Sequence, residues 1–395
     1  MKCNKKVSDF LIYFDNAATT QVIPEVAELI IKYMTTQYGN PSSLHRMGLD
    51  AQKAVDHGRS IIAKHLRCKA DDIIFTAGGT ESNNTIIKSL MGAENPQRGH
   101  LITSQAEHAS VLSSMAAMES MGFSVTYLPV DHYGRVDCKA VKDAIRKDTR
   151  LISLMLVNNE LGTLNDIQGI ANTIRHAGYS GLIHTDATQA IGKIPIDLSK
   201  LNVDYLSLSA HKCHGPKGVG LIYKGTRKGL KPLVHGGGQE KNLRSGTHNV
   251  PGIVGMAKAI AVASESLTQS YNVVSSYQHE IIACLNAFSN HMKLFSPIDG
   301  MGVPHIISVG FSDIPSEVLL HALESESICV SSGSACSSNK PDDYSHVLKA
   351  INAPLPFAKG TIRISLSKLT THEDVKALIK ALNKVIPQLQ LPKRS

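Results

Sequence analysis

Short apolar runs alternate with amphipathic stretches between residues 72 and 209, and that alternation restricts the fold more than any other feature. The runs at 72–77, 101–104, 125–130, 151–157, 182–185 and 203–209 read as strands. The segments at 80–91, 108–121, 136–147 and 165–177 read as helices between them. Strands that are apolar throughout belong in a mostly parallel sheet covered by helices on both faces, so the expected class is α/β. An earlier helix is expected over 24–38, opened by Pro24, which suits a first helical turn.

The pattern changes near residue 250. A long helical region is expected over 250–289, then a strand at 304–311, a helix at 316–325 and a Ser/Gly-rich loop at 331–339. A strand at 361–365 and a helix at 372–386 end the series. A single core stops growing near ~250–300 residues, so 395 residues predict two domains. The expected division is a segment 1–20 packing with the small domain, a large domain 21–255, and a small α+β domain 256–395. No internal repeat or flexible linker separates them.

Composition excludes several classes. The net charge of +8 fits an enzyme of anionic substrates and cofactors, and its basic residues are scattered rather than clustered, so direct nucleic-acid binding is not expected. Seven cysteines, an odd number with no C-x-x-C pair, argue against a disulfide framework or a structural zinc site, and no metal is expected. The N-terminus lacks a signal-peptide core, and no uninterrupted apolar run reaches the ~18 residues of a membrane span. A cytoplasmic protein of a reducing compartment is the expectation.

Ligands of open α/β sheets bind beyond the carboxyl ends of strands, and four motifs fall there. Ala77-Gly78-Gly79-Thr80-Glu81 lies between a strand and a helix; its glycines, its backbone N–H groups and the Thr80 hydroxyl suit a phosphate, although a plain glycine turn has the same composition. Glu107-His108 follows the 101–104 strand, where a histidine stacks on a flat ring, shuttles protons or simply sits at a helix start. Asp186 ends an apolar strand, where a carboxylate needs a cationic partner; a protonated pyridinium nitrogen is one, and capping of the next helix is the alternative. Lys212 leaves the 203–209 strand, flanked by Ser209, His211 and a Gly/Pro-rich turn; a buried lysine there becomes a Schiff-base nucleophile, and Ser209 and His211 suit a phosphate. In chain order the four supply a phosphate cradle, a stacking group, a pyridinium partner and a Schiff-base lysine.

With these motifs the chain resembles the cysteine desulfurases of the NifS/IscS type, within the fold type I pyridoxal-phosphate enzymes (aspartate aminotransferase-like). The resemblance begins at Phe14-Asp15-Asn16-Ala17-Ala18-Thr19-Thr20 and covers nearly the whole chain. It includes Gly39-Asn40-Pro41-Ser42-Ser43, Val157-Asn158-Asn159-Glu160, His235-Gly236-Gly237-Gly238-Gln239-Glu240 and Arg244-Ser245-Gly246-Thr247. Most specific is Ser331-Ser332-Gly333-Ser334-Ala335-Cys336-Ser337-Ser338. The resemblance implies a large domain with a mostly parallel seven-stranded sheet and pyridoxal 5'-phosphate as cofactor. Lys212 would carry it covalently, His108 would stack on its ring, Asp186 would pair with its nitrogen and Gln189 would contact its phenolic oxygen. Gly79, Thr80, Ser209 and His211 would hold the phosphate, joined by Thr247 from the neighbouring subunit of a homodimer. Asn159 and Arg363 would hold the substrate carboxylate, a group matched by the arginine fork.

Cys336 would accept the sulfur of L-cysteine as a persulfide, leaving L-alanine, with Lys212 moving the Cα proton and His108 moving a proton near the substrate thiol. Its setting of serines and glycine suits an accessible, movable thiol. Cys329, within Ile328-Cys329-Val330, reads instead as a core residue, and Cys213 is given no role. The sulfur is expected to pass to an acceptor protein, for iron–sulfur cluster assembly or tRNA thiolation. The stretch 387–395 lacks a scaffold-docking tail, and Glu317–Leu323 and Asp343–Leu348 look more like bacterial desulfurases that feed tRNA thiolation. Competing readings are an aminotransferase or selenocysteine lyase with the same cofactor, and a non-catalytic sulfur carrier or nucleic-acid-binding protein.

Overall fold

A computed structural model describes residues 11–90, 99–225, 229–298, 300–332 and 344–390, to which the structural statements below refer. The described chain opens with strand β1 (Ile12–Tyr13). It then builds one sheet from β2 (Ile73–Thr76), β3 (His100–Ser104), β4 (Ser124–Leu128), β5 (Thr149–Ser153), β6 (Leu182–Asp186), β7 (Tyr205–Ser209) and β8 (Gly220–Lys224). The strand order is β2-β8-β7-β6-β5-β3-β4. Neighbours are parallel except at β8, which is antiparallel to both β7 and β2. This is the expected seven-stranded, mainly parallel α/β sheet.

Successive strand residues face opposite cores. Leu101, Leu151 and Tyr205 pack with Ile86, Val111 and Met115 on one face. Ile102, Ile152 and Leu206 pack with Val55, Ile62 and Ile260 on the other. Side chains alternate along a strand, and both faces here are covered, which is why the strands read as unbroken apolar runs.

Two of the elements that escaped the sequence reading belong to the large sheet and its helical cover. Strand β8 is five residues long and follows the Gly/Pro-rich turn after Lys212. The helix Arg46–Leu66 has 21 residues, but its buried face is mostly small: Gly48, Ala51, Ala54, Val55, Gly58, Ile62, Ala63 and Leu66. Gly and Ala at helical spacing let it lie close to the helix Val250–Glu265 without producing a strong apolar stripe.

The smaller sheet comprises β9 (Met292–Leu294), β10 (Ile306–Phe311), β12 (Ser331–Ser332) and β13 (Thr361–Ser365), in the order β12-β13-β10-β9 and antiparallel. Strand β11 (Ile328–Cys329) pairs in parallel with β1, tying the first described residues to this part of the chain. The helical region expected over 250–289 breaks at Ser266 into Val250–Glu265 and Leu267–Leu285, with a 70° bend. The expected loop at 331–339 begins instead as β12, because Ser331 and Ser332 pair with Arg363 and Ile362; residues 333–339 lie outside the described residues. Cys329 is half-buried rather than a core residue: strand alternation turns Ile328 and Val330 inward and leaves Cys329 on the other side. The last helix, His372–Gln390, runs past the expected end and through Pro387. Among the described residues, no single helix is long and apolar enough to cross a membrane.

Candidate active site

Strands β2, β3, β5, β6 and β7 run in one direction, so their carboxyl ends share one edge of the sheet. That edge carries Gly79 and Thr80, His108, Asn159, Asp186, and Ser209 through Lys212. A cleft of about 600 Å³ opens there, lined in part by Gly78, Gly79, Thr80, Ser209, His211 and Lys217. Gly78 has φ +154°, and a Cβ on Gly220 would stand 2.6 Å from the Gly78 Cα, so glycine is required at this crossing. The helix Gly79–Lys88 starts at the cleft, and its first N–H groups have no acceptor within the helix. Gly78 is its N-cap residue, and the Glu81 carboxylate accepts the Ala77 N–H at 2.9 Å. His211 is pushed down to about 4, first by burial and then by Lys212, Lys217 and Lys193. Clustered cations beside backbone donors fit a phosphate dianion.

A hydrogen-bonded chain crosses the floor. Asp186 is 6 % exposed. Its Oδ2 accepts from Asn83 Nδ2 at 2.7 Å and its Oδ1 from the Thr188 N–H at 2.9 Å. Asn83 Nδ2 also donates to Ser110 Oγ at 2.9 Å, and Ser110 Oγ lies 2.8 Å from His108 Nδ1. Because the Ser110 backbone N–H donates to that same Nδ1 at 3.1 Å, Nδ1 is an acceptor. The neutral ring therefore carries its proton on Nε2. Burial, with Lys212 and His346, outweighs Asp186 and lowers the His108 pKa, which favours this neutral form.

Lys212 Nζ donates to the carbonyls of Ala17 and Ala18, both at 2.7 Å. Gln189 Nε2 donates to the Ala17 carbonyl at 2.8 Å. His211 Nδ1 lies 3.2 Å from Thr19 Oγ1, so residues 17–19 form one wall of the site. The glycine cradle with its backbone N–H groups, the buried Asp186 acceptor and the primary amine fit the three ends of pyridoxal phosphate: phosphate, ring nitrogen and aldehyde.

From the smaller sheet, Arg363 on β13 donates from Nη1 to the Asn159 carbonyl and from Nη2 to Asp15 Oδ1, both at 2.8 Å. Its Nε and Asn159 Oδ1 are buried without a hydrogen-bond partner. An unfilled guanidinium N–H next to the cleft fits an incoming carboxylate. The described residues flanking 333–343 converge here: Ser331 pairs with Arg363, Ser345 Oγ donates to Glu160 Oε2, and His346 Nε2 lies 2.8 Å from the Glu107 carbonyl oxygen. Cys336 itself lies outside the described residues.

Thr247 is exposed and does not line this chain's cleft. Its segment is tied to the helix Gly79–Lys88 by Arg244, which bonds Glu81 at 2.9 and 3.3 Å. Cys213 is 3 % exposed and is pushed up to about 12 by burial, an inert thiol. Four site groups escaped the sequence reading: Asp15, Asn83, Lys193 and Lys217. Asn83 lies one helical turn beyond Gly79, and Asp15 within a stretch already singled out, so position relative to known motifs was the available signal.

Comparison with known proteins agrees with this geometry. The Aminotransferase class-V family model matches residues 12–378. The chain is 42% identical over 381 residues to "Cysteine desulfurase IscS" of Dictyoglomus turgidum, covering 96% of this chain and 95% of the relative. It is 40% identical over 389 residues to "Cysteine desulfurase IscS" of Methanosarcina thermophila, covering 98% and 95%. Among solved structures, a "NIFS-LIKE PROTEIN" superposes with a TM-score of 0.90 at 37% identity, covering 96% of this chain and all of that one. "SspA in complex with cysteine" superposes at 0.78 with 36% identity, covering 91% and 99%. The chain therefore belongs to the class-V aminotransferases, a family of pyridoxal-phosphate enzymes, and within it to the IscS/NifS cysteine desulfurase group.

Proposed function

We propose that this protein converts L-cysteine to L-alanine and transfers the sulfur to Cys336 as a persulfide. One juxtaposition carries the reading: Lys212 just beyond β7 and the Asp186 carboxylate at the end of the adjacent β6 share a sheet edge with the cleft that Gly78 and Gly79 line. Bound pyridoxal phosphate supplies an electron sink for the substrate α-carbon. Asp186, held by Asn83 and the Thr188 N–H, accepts a hydrogen bond from a protonated ring nitrogen. Gly79, Thr80, Ser209 and His211 hold the phosphate, and Gln189 reaches the phenolic oxygen.

Arg363 receives the substrate carboxylate on its unfilled Nε, with Asn159 beside it. Lys212 Nζ takes and returns the Cα proton. His108 stacks on the ring and presents Nε2–H near the substrate sulfur. The Cys336 thiolate attacks that sulfur: an S–S bond forms, the Cβ–S bond breaks, and its electron pair passes to the carbon skeleton, which gains protons to leave as alanine. No outside oxidant is needed.

The active form is a homodimer, in which Thr247 serves the phosphate site of the neighbouring copy; its exposure and the Arg244–Glu81 tie support this. The persulfide passes, in the cytoplasm, to an acceptor protein of iron–sulfur cluster assembly or tRNA thiolation. The test is alanine formation from L-cysteine by the holoenzyme, with mass analysis of the Cys336 peptide. The expected result is one alanine per cysteine and one added sulfur on Cys336, with Cys336→Ala keeping the visible cofactor band but losing desulfuration. A band without alanine from cysteine would overturn the reading.

A further inference from the structure

Lys193 is a buried amine beside the site to which no role has been given. It is 4 % exposed, and its Nζ donates to two oxygens of one residue, the Gln189 carbonyl at 3.0 Å and Gln189 Oε1 at 2.9 Å. Gly192, with φ +71°, turns the chain so that Lys193 enters the interior; a Cβ there would press on Cys213 Cβ at 3.1 Å and Ala263 Cβ at 3.2 Å. Burying an ammonium disfavours its charged form. Burial first, then repulsion from Lys212, brings Lys193 down to about 7.

The two ends of a carboxamide are nearly identical in shape and opposite in hydrogen-bonding character. Lys193 Nζ meets the oxygen end of the Gln189 amide as well as its backbone carbonyl. The other end is N–H, and it meets a group that only accepts, the Ala17 carbonyl, at 2.8 Å. That carbonyl also accepts from Lys212 Nζ at 2.7 Å and is fixed in turn by the Ala17 N–H bonding Ser365 Oγ at 2.9 Å. Lys193 and Ala17 thus specify the amide from both ends.

We propose that Lys193 is a positioning residue that sets the orientation of the Gln189 carboxamide, so that its N–H donors face the Ala17 carbonyl shared with Lys212 and the phenolic oxygen of the cofactor. This rests on the reading that Gln189 reaches that oxygen. Lys193 acts through Gln189; without it, one of the two constraints on the amide is lost.

The test is a double-mutant cycle of Lys193→Met and Gln189→Ala in the full-length protein. It reads cofactor affinity, by titrating the stripped enzyme with pyridoxal phosphate, and the pH midpoint of the visible absorbance band. Gln189→Ala is expected to weaken cofactor binding and move the midpoint. Lys193→Met is expected to do the same, with affinity reduced about 5–10-fold, and to add nothing further in the Gln189→Ala background, as residues sharing one interaction couple. If Gln189→Ala leaves both readouts unchanged, the assignment of Gln189 fails and this proposal with it. If Gln189→Ala moves them but Lys193→Met does not, or if Lys193→Met acts equally in both backgrounds, only the Lys193 proposal is overturned. Should Lys193→Met not fold, Lys193→Gln, which keeps a shorter donor, takes its place; the same coupling is expected, and its absence overturns the proposal.

Discussion

Asn83 and Asp186 lie 103 residues apart and meet at 2.7 Å, Nδ2 to Oδ2, on the floor of the cleft. The same amide nitrogen reaches Ser110 at 2.9 Å, and Ser110 in turn fixes the tautomer of His108. One side chain therefore bonds both the Asp186 carboxylate and the serine hydroxyl that meets His108.

Asn83→Ala removes both bonds at once. A hydrogen bond to a charged group contributes about 1.5–3 kcal/mol. The variant is expected to bind pyridoxal phosphate at least ten times more weakly and to turn over cysteine more slowly. Titration of stripped protein and steady-state alanine production measure the two effects; unchanged affinity would contradict the network.

Arg363→Lys keeps a positive charge but loses the planar fork that bonds Asn159 and Asp15 and leaves Nε for substrate. The expected outcome is a KM for L-cysteine raised more than about tenfold, the order of a lost charge-assisted bond, with the visible cofactor band unchanged. A variant with normal KM would remove Arg363 from the substrate site.

Glu107 is fully buried and raised to about 8, because burial outweighs its bonds from Ser104 and the Met155 N–H. A carboxyl raised in the folded state contributes stability that is complete below its unfolded pKa and is lost as pH climbs toward about 8. Glu107→Gln cannot ionise. Relative to it, the native protein should lose about 2–4 kcal/mol between pH 4.5 and pH 8. Denaturant midpoints of both proteins at pH 5 and pH 8.5 provide the check; parallel pH curves would refute the buried neutral acid.

The helix Arg46–Leu66 contains two glycines with opposite expected responses. A Cβ at Gly58 would meet Ile253 Cγ2 at 3.4 Å and Ala257 Cβ at 3.5 Å, ordinary contacts. Gly58→Ala should therefore stabilise by about 0.5–1 kcal/mol through helix propensity. A Cβ at Gly48 would collide with the Ser43 carbonyl oxygen, so Gly48→Ala should destabilise by about 1–3 kcal/mol. Thermal unfolding of the two variants compares them directly.

The strand–helix alternation, Gly79, Asp186 and Lys212 were legible because each depends on local order. An apolar run ends, a polar residue follows, and in a parallel sheet every such end falls on one edge. Helix Arg46–Leu66 was hidden because its buried face is small rather than apolar, and β8 because a five-residue strand after a Gly/Pro turn carries little periodicity. What no local pattern could contain is partnership across the chain. Asp15 finds Arg363 at a separation of 348 residues, and Ala17 finds Lys212 at 195. By itself, then, the sequence determined which residues stand at the strand ends and what chemistry they can perform. The tertiary structure decided which hydrogen bonds orient them, because a hydrogen bond depends on distances and angles that only the packed chain defines.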